Sequence, residues 1–323
     1  MKAFSRLTSA AAALLLIAGS SLFFSCATTG AAKSAKHTAT LTKQAERFFW
    51  RIDGTDKTGN PSVVYIQGTM HVGNDSLYPI ADGVMDAWNS SNRFVAELTV
   101  DDIRNLQMEG QEMVMASREK AAGRNLFDGL TETQAEFLRS ILPEEETVQI
   151  SEFEPWVLSQ LLALGLYSGT GFTADKAIDL YFMMLSYQQG HTLEALDTLD
   201  DQKELLVYGT YDQQLIRLQN TIDTILDTDK INRYIVDLTK SYVDGDVDTF
   251  TTIMQESYED DIKYADFYKD YYKTMLDVRN EKWAKTIADY LAEGGTTFVF
   301  AGSAHFIGDN SVFSYMRKQG SLK

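Results

Sequence analysis

The chain has 323 residues and a formal net charge of −17, from 29 Lys and Arg against 46 Asp and Glu. That balance argues against nucleic acid as a partner, because its phosphates would be repelled. Cys26 is the only cysteine, so no internal disulfide can form and stability must come from a buried core.

In chain order, residues 1–25 read as a targeting signal. Lys2 and Arg6 precede an apolar run at residues 10–17, and a short stretch then leads to Cys26. Leu22-Phe23-Phe24-Ser25-Cys26 reads as a loose lipobox: Ser25 is small enough for cleavage before Cys26, while Phe23 and Phe24 are bulkier than usual. The expectation is a lipid-modified bacterial cell-envelope protein, tethered to the membrane through Cys26. Ordinary cleavage nearby would instead release a periplasmic or secreted chain. Residues 26–46 are rich in Ala, Thr, Lys and Ser, include His37, and are expected to form a flexible tether. Residues 47–323 then form the folded domain.

That domain opens with Phe48-Phe49-Trp50-Arg51-Ile52, a predicted strand, and a turn containing Gly54, Gly59 and Asn60. A second strand over residues 62–67 completes a hairpin. It runs into Gly68-Thr69-Met70-His71. A short helix is predicted over residues 81–89 after Pro79, and Arg93-Phe94-Val95-Ala96-Glu97 reads as a third strand ending on a carboxylate. Residues 101–293 are almost wholly helical in pattern. They include a helix over 126–142 with Thr131 and Thr133 as possible caps. They also include an apolar buried helix opened by Pro155-Trp156, too short for a membrane span. A helix over 174–188 is capped by Thr173 and stopped by Gly190, and a short strand is possible over 192–196. A helix over 282–293 stops at Gly294-Gly295. The last strong strand covers 296–301, Gly302-Ser303-Ala304-His305 follows, and a helix over 311–318 closes the chain. The predicted class is α/β (α+β), with a mixed central sheet built from N- and C-terminal segments and a large helical insertion at about 101–293.

Two of the four histidines thus occupy the same Gly-x-x-His frame after a β-like run. If the strands ending on His71, Glu97 and His305 lie parallel in one sheet, the three side chains converge at its edge. Two histidines and a carboxylate leave open positions on a divalent metal, the arrangement that catalysis needs. A metal-free version uses one histidine as general base, Glu97 to orient it and water as nucleophile. Gly68 and Gly302 would let the chain turn sharply and approach a ligand closely. Asp75 and Asp309 could orient the imidazoles. His191, after Gly190, suits a helix C-terminus. Nothing around Ser303 or Thr69 resembles a nucleophile elbow, and no P-loop, dinucleotide fingerprint or cysteine cluster is present.

These blocks resemble the TraB/PrgY/GumN family, which is similar to the Tiki metalloproteases. The resemblance rests on Val64-Tyr65-Ile66-Gln67-Gly68-Thr69-Met70-His71-Val72-Gly73, Leu77-Tyr78-Pro79, Val95-Ala96-Glu97 and Pro155-Trp156. It continues through Leu196-Asp197-Thr198 with Gln202, Tyr242-Val243-Asp244-Gly245-Asp246, Arg279-Asn280, Trp283 and the second histidine frame. It implies an α/β core related to the erythromycin-esterase and ChaN-like folds. It also implies an active site on His71, Glu97 and His305 that, in the Tiki branch, supports metal-dependent peptide cleavage. Arg279 would be a polar residue of that site or a helix-packing ion pair. The chain departs from the family in carrying Asp197 where Glu is usual and Gly-Ser-Ala-His where Gly-Ala-Gly-His is common. It also stops soon after Gly320.

The expected function is therefore a lipid-anchored hydrolase acting on a peptide or protein, with Mn, Co or Zn held by His71, Glu97 and His305. The alternative is a non-catalytic surface lipoprotein that sequesters a peptide or a metal compound. A metal-free hydrolase with His71 as base comes third. The helical insertion, covering the sheet end, would set specificity.

Overall fold

The computed structural model describes residues 38–167 and 170–323. The signal segment, Cys26 and His37 lie outside the described residues. Six strands form one mixed sheet in the order β1-β2-β3-β6-β4-β5. β1 (Thr40–Lys43), β2 (Phe49–Thr55) and β3 (Pro61–Thr69) pair antiparallel. β3 then pairs parallel with β6 (Gly295–Gly302), β6 with β4 (Arg93–Ala96), and β4 with the short β5 (Leu193–Ala195). The first and last parts of the chain thus share one sheet, as the sequence pattern predicted.

β1 lies inside the stretch read as tether. An edge strand needs mainly backbone hydrogen bonds from its neighbour, and β1 is largely exposed, so its polar composition gave no sign of it.

The central strand β6 reads Thr-Phe-Val-Phe-Ala and is buried on both faces from Thr297 to Ala301. A parallel strand covered by helices on both sides requires that apolar run. On one face lie α1 (Asp82–Ser90) and α6 (Ile178–Gln189), where Trp88 and Phe182 pack on Phe298 and Phe300. Elsewhere the core takes in Trp283, Phe306, Phe313 and Trp50.

Between β4 and β6 run α2 (Val100–Lys120), α3 (Glu132–Ile141), α4 (Glu144–Ile150), α5 (Pro155–Gly165), α6, α7 (Leu199–Leu206) and α8 (Tyr211–Leu226). Two longer helices follow, each interrupted by a π-turn. α9 comprises Thr228–Ile231 and Leu238–Asp244 around Asn232–Asp237. α10 is Val247–Tyr264. α11 comprises Tyr268–Tyr272 and Arg279–Glu293 around Lys273–Val278. α12 (Val312–Gln319) closes the chain. The insertion has its own hydrophobic core, with Leu138, Phe153, Trp156, Leu158, Leu218 and Ile222 buried together. That is why α5 is apolar nearly all round. No described helix is long and apolar enough to cross a membrane.

Local signals set most helix starts. Thr99, Thr131, Thr198 and Thr210 each close a capping box with the residue three places on. The helix predicted over 126–142 is split, because Leu126–Gly129 forms a separate 3-10 turn and Thr131, not Thr133, caps α3. Thr173 does not cap α6 with its side chain. Its backbone instead bridges Gly73 in both directions, at 2.8 and 2.9 Å.

Candidate active site

β3, β6, β4 and β5 all end at the same edge of the sheet, and each delivers one or more polar side chains beyond its last residue. His71 lies past β3, Glu97 immediately past β4, Asp197 past β5 and His305 past β6. Arg279 reaches the same point from α11, at the end of the π-turn. Such turns often mark functional sites. His71, Glu97, Arg279 and His305 line one cavity of about 400 Å³.

Arg279 is at the centre of this group. Its Nη2 donates to Glu97 Oε1 and to Asp197 Oδ2, both at 2.5 Å, and its Nε donates to Asp197 Oδ2 at 2.9 Å. Nη1 donates to His305 Nε2 at 2.8 Å. His305 Nε2 must therefore be the acceptor, which puts the ring proton on Nδ1, and Nδ1 donates to Asn280 Oδ1 at 2.6 Å. His305 is neutral, held well below its ordinary pKa by burial and by the adjacent guanidinium. Asp197 also accepts from Trp283 Nε1 at 2.8 Å and from Gln202 at 3.2 Å. Its side chain is fully buried. It positions Arg279 and has no oxygen to spare for a base or ligand role.

Glu97 accepts from Arg279 and Gln202 through Oε1, while Oε2 is buried with no protein partner. Burial favours its neutral form. The charges of Arg279 and His71 more than offset this and hold Glu97 down at about 2. Thr69 Oγ1 and Ser303 Oγ, from the two histidine frames, are likewise buried without protein partners. Both residues line the cavity.

His71 is paired with a residue that sequence reasoning missed. Its Nδ1 is 2.5 Å from Asp179 Oδ2, and 30 % of its side chain is open to the cavity. Burial pushes its pKa down, but the Asp179 charge and hydrogen bond outweigh that and raise it to about 9. It is an imidazolium at neutral pH, with Nε2 left for a ligand. Asp179 sits in the first turn of α6, where an acid is ordinary dipole chemistry, so nothing in the sequence set it apart. Tyr78 fixes that helix start by donating to the carbonyls of Lys176 and Ala177, at 3.1 and 3.3 Å.

Several expectations need correction. Asp75 pairs with Lys176 on the surface and Asp309 is exposed, so neither orients an imidazole; Asp179 and Asn280 do. Gly68 and Gly302 do not adopt positive φ. Gly68 answers to space, because a Cβ there would lie 2.8 Å from Ser303 Oγ and 3.2 Å from the Trp50 ring. A Cβ at Gly302 would meet only His305 and Glu97, at 3.6 and 3.8 Å. His191 stacks on Phe94, with ring centroids 4.1 Å apart, away from the site.

The three residues expected to hold a divalent ion do come together, but as arranged they do not fit one. The Arg279 guanidinium already takes the Nε2 lone pair of His305 and occupies the space between that ring and Glu97. The ligand atoms not already taken are Glu97 Oε2 and, only after its ring loses a proton, His71 Nε2, two where open catalytic sites take three. Among the described residues no cluster of three or more His, Cys, Asp or Glu is placed to hold a metal.

Two histidines, a carboxylate and a buried arginine thus meet at the parallel edge of a mixed α/β sheet. The family model for the TraB/PrgY/gumN family matches residues 48–322, and the chain belongs to that family. It is 29 % identical over 313 residues to an uncharacterized protein of Treponema pallidum (strain Nichols), an alignment covering 93 % of this chain and 88 % of that protein. No solved structure gives a significant match.

Proposed function

We propose that the chain is a hydrolase of peptide amides, with water activated between Glu97 and His71. The observation that carries this is the set of buried, unpartnered oxygens on Glu97, Thr69 and Ser303 in the cavity that His71 lines. Buried polar atoms are satisfied by something, here water or a substrate. Glu97 and His71, which both face that space, have pKa values pushed far apart, at about 2 and about 9. Such a separation assigns acid and base roles.

Water hydrogen-bonded to Glu97 Oε2 attacks the carbonyl carbon and gives a proton to that oxygen. His71 Nε2–H stabilises the developing oxyanion and then protonates the leaving amine as the C–N bond breaks. The proton gained by Glu97 and the one lost by His71 cancel over the cycle. Glu97 is a weak base, so most of the assistance comes from His71 as acid. Asp179 holds the imidazolium ring in place. Arg279 holds Glu97 Oε1 and thereby aims Oε2. The bond class follows the Tiki resemblance, and membrane tethering through Cys26 follows the lipobox reading. Loss of lipid labelling in Cys26→Ser tests the tether.

The test of the chemistry is peptide-library cleavage by the wild type, Glu97→Gln and His71→Asn, with and without chelator, together with metal stoichiometry. Cleavage that survives chelator and is lost in both variants is the expected result. One tightly bound divalent ion that is lost in both His71→Ala and His305→Ala would overturn the metal-free scheme and restore the three-ligand site. Peptide binding without turnover would replace the hydrolase by a binder.

A further inference from the structure

Arg217 sits on α8 in the wall of the same cavity as His71 and Glu97. Its Nη1 is buried without a hydrogen-bond partner, and its one protein bond is a long 3.4 Å contact from Nη2 to the Tyr271 hydroxyl. Its guanidinium lies over the Tyr271 ring, 4.6 Å from the centroid. The other described arginines are placed differently. Arg51, Arg93, Arg104, Arg118, Arg124, Arg139, Arg233 and Arg279 pair with carboxylates. Arg47 and Arg317 donate to backbone carbonyls. In a chain with 46 acidic residues, a half-buried guanidinium with no carboxylate partner is the exception among the described arginines.

One acid, Asp261, lines an adjoining cavity of about 310 Å³ together with Arg217. Its oxygens are already used, Oδ1 by Asn220 Nδ2 at 2.6 Å and Oδ2 by the Tyr272 hydroxyl. Arg217, Gln160 and Tyr271 line both spaces, so the guanidinium stands where the site cavity meets a tyrosine-walled recess. A half-buried cation whose Nη1 is shut off from water without a partner carries a desolvation cost, and a ligand that supplies the missing anion offsets it. The planar fork matches a carboxylate in two-bond geometry, and the neighbouring tyrosines add aromatic faces and hydroxyls.

We infer that Arg217 binds a carboxylate of the substrate, in the cavity where His71 and Glu97 act on the amide. This deepens the hydrolase reading by giving the substrate class: a peptide with a carboxylate set apart from the scissile bond. Two sources share that chemistry, the free C-terminus and an Asp or Glu side chain.

The experiment is calorimetric titration of the full chain with three probes. They are acetyl-Ala-Ala with a free carboxylate, the same peptide as its C-terminal amide, and acetyl-Ala-Glu amide. Wild type should bind at least one carboxylate probe at least tenfold more tightly than the neutral amide. Preference for the first identifies the C-terminus, and preference for the third a side chain. Arg217→Met should abolish the preference, so that its affinities for acid and amide probes converge, and Arg217→Lys should retain part of it. Equal binding of all three probes by wild type overturns the inference without any variant. So does an Arg217→Met loss that is the same for acid and amide. Binding is read without turnover. A carboxylate preference in a protein that cleaves nothing would sink the hydrolase reading and leave Arg217 as an anion site.

Discussion

Replacing Arg279 by Met tests the centre of the site most directly. The guanidinium side chain is 4 % exposed and its partners Glu97 and Asp197 are 11 % and 0 % exposed, so solvent screens none of the three. Gln202 Nε2 lies 3.1 Å from Glu97 Oε1 and 3.2 Å from Asp197 Oδ2, so without the arginine two carboxylates face each other across one amide. Removing one partner of a buried ion pair costs about 3–5 kcal/mol, because the survivors keep their desolvation penalty. The pH dependence carries the sign. In the wild type Glu97 is depressed to about 2, so its contribution is present above its unfolded value of 4.5 and is lost only as pH falls through about 2. In Arg279→Met the strongest lowering charge is gone while burial remains, so Glu97 should titrate higher than in the wild type. The variant's deficit should then be full at pH 7.5 and shrink as Glu97 takes a proton on acidification. Urea unfolding at pH 7.5 and pH 4.5, followed by circular dichroism and tryptophan fluorescence, reads both quantities. Arg279→Lys keeps the charge but loses the fork that serves Glu97, Asp197 and His305 together, and should recover less than half the loss. A deficit below about 1 kcal/mol at pH 7.5, or one independent of pH, would refute the reasoning.

Other consequences are open to measurement. If His71 acts as acid, kcat/KM should hold through neutral pH and fall as the ring deprotonates near 9; a rate that climbs through that value makes it a base. Asp179→Asn should move that limb to lower pH and cut turnover about 100-fold or more. Because the His71 pKa is raised from 6.5 to about 9, the stability that Asp179 adds should be full below 6.5 and gone above about 9. A matched pair of denaturation series, wild type against Asp179→Asn, tests that window. Gly73→Ala would place a Cβ 1.9 Å from the Lys176 carbonyl oxygen and should cost roughly 2 kcal/mol or more in unfolding free energy. Gly302→Ala meets only ordinary contacts, so it should fold normally and lose activity through crowding at Glu97 Oε2; an active variant would show that this face of Glu97 is not used.

The sequence by itself named His71, Glu97 and His305 as a candidate site, and the fold brings the three to one sheet edge. The apolar runs before His71, Glu97 and His305 were legible as strands; that they pair in parallel, which the sequence left conditional, is what brings their ends to one edge. Thr131 as a cap and the stops at Gly190 and Gly294 were legible for equally local reasons, whereas most helices of the insertion were not placed individually. β1 escaped detection because an edge strand leaves little trace in its side chains. What the residues do to one another depended on contacts between distant elements. Asp179 comes to His71 from a helix more than 100 residues away, and no period or spacing marks that meeting. Arg279 was legible as a conspicuous residue, but only packing shows that it occupies the place expected for a metal and takes the lone pair of His305. Protonation states followed from the same packing. His71 and His305 occupy identical frames, yet one is charged beside an aspartate and the other neutral beside an arginine, because a pKa is set by the neighbours that tertiary structure supplies.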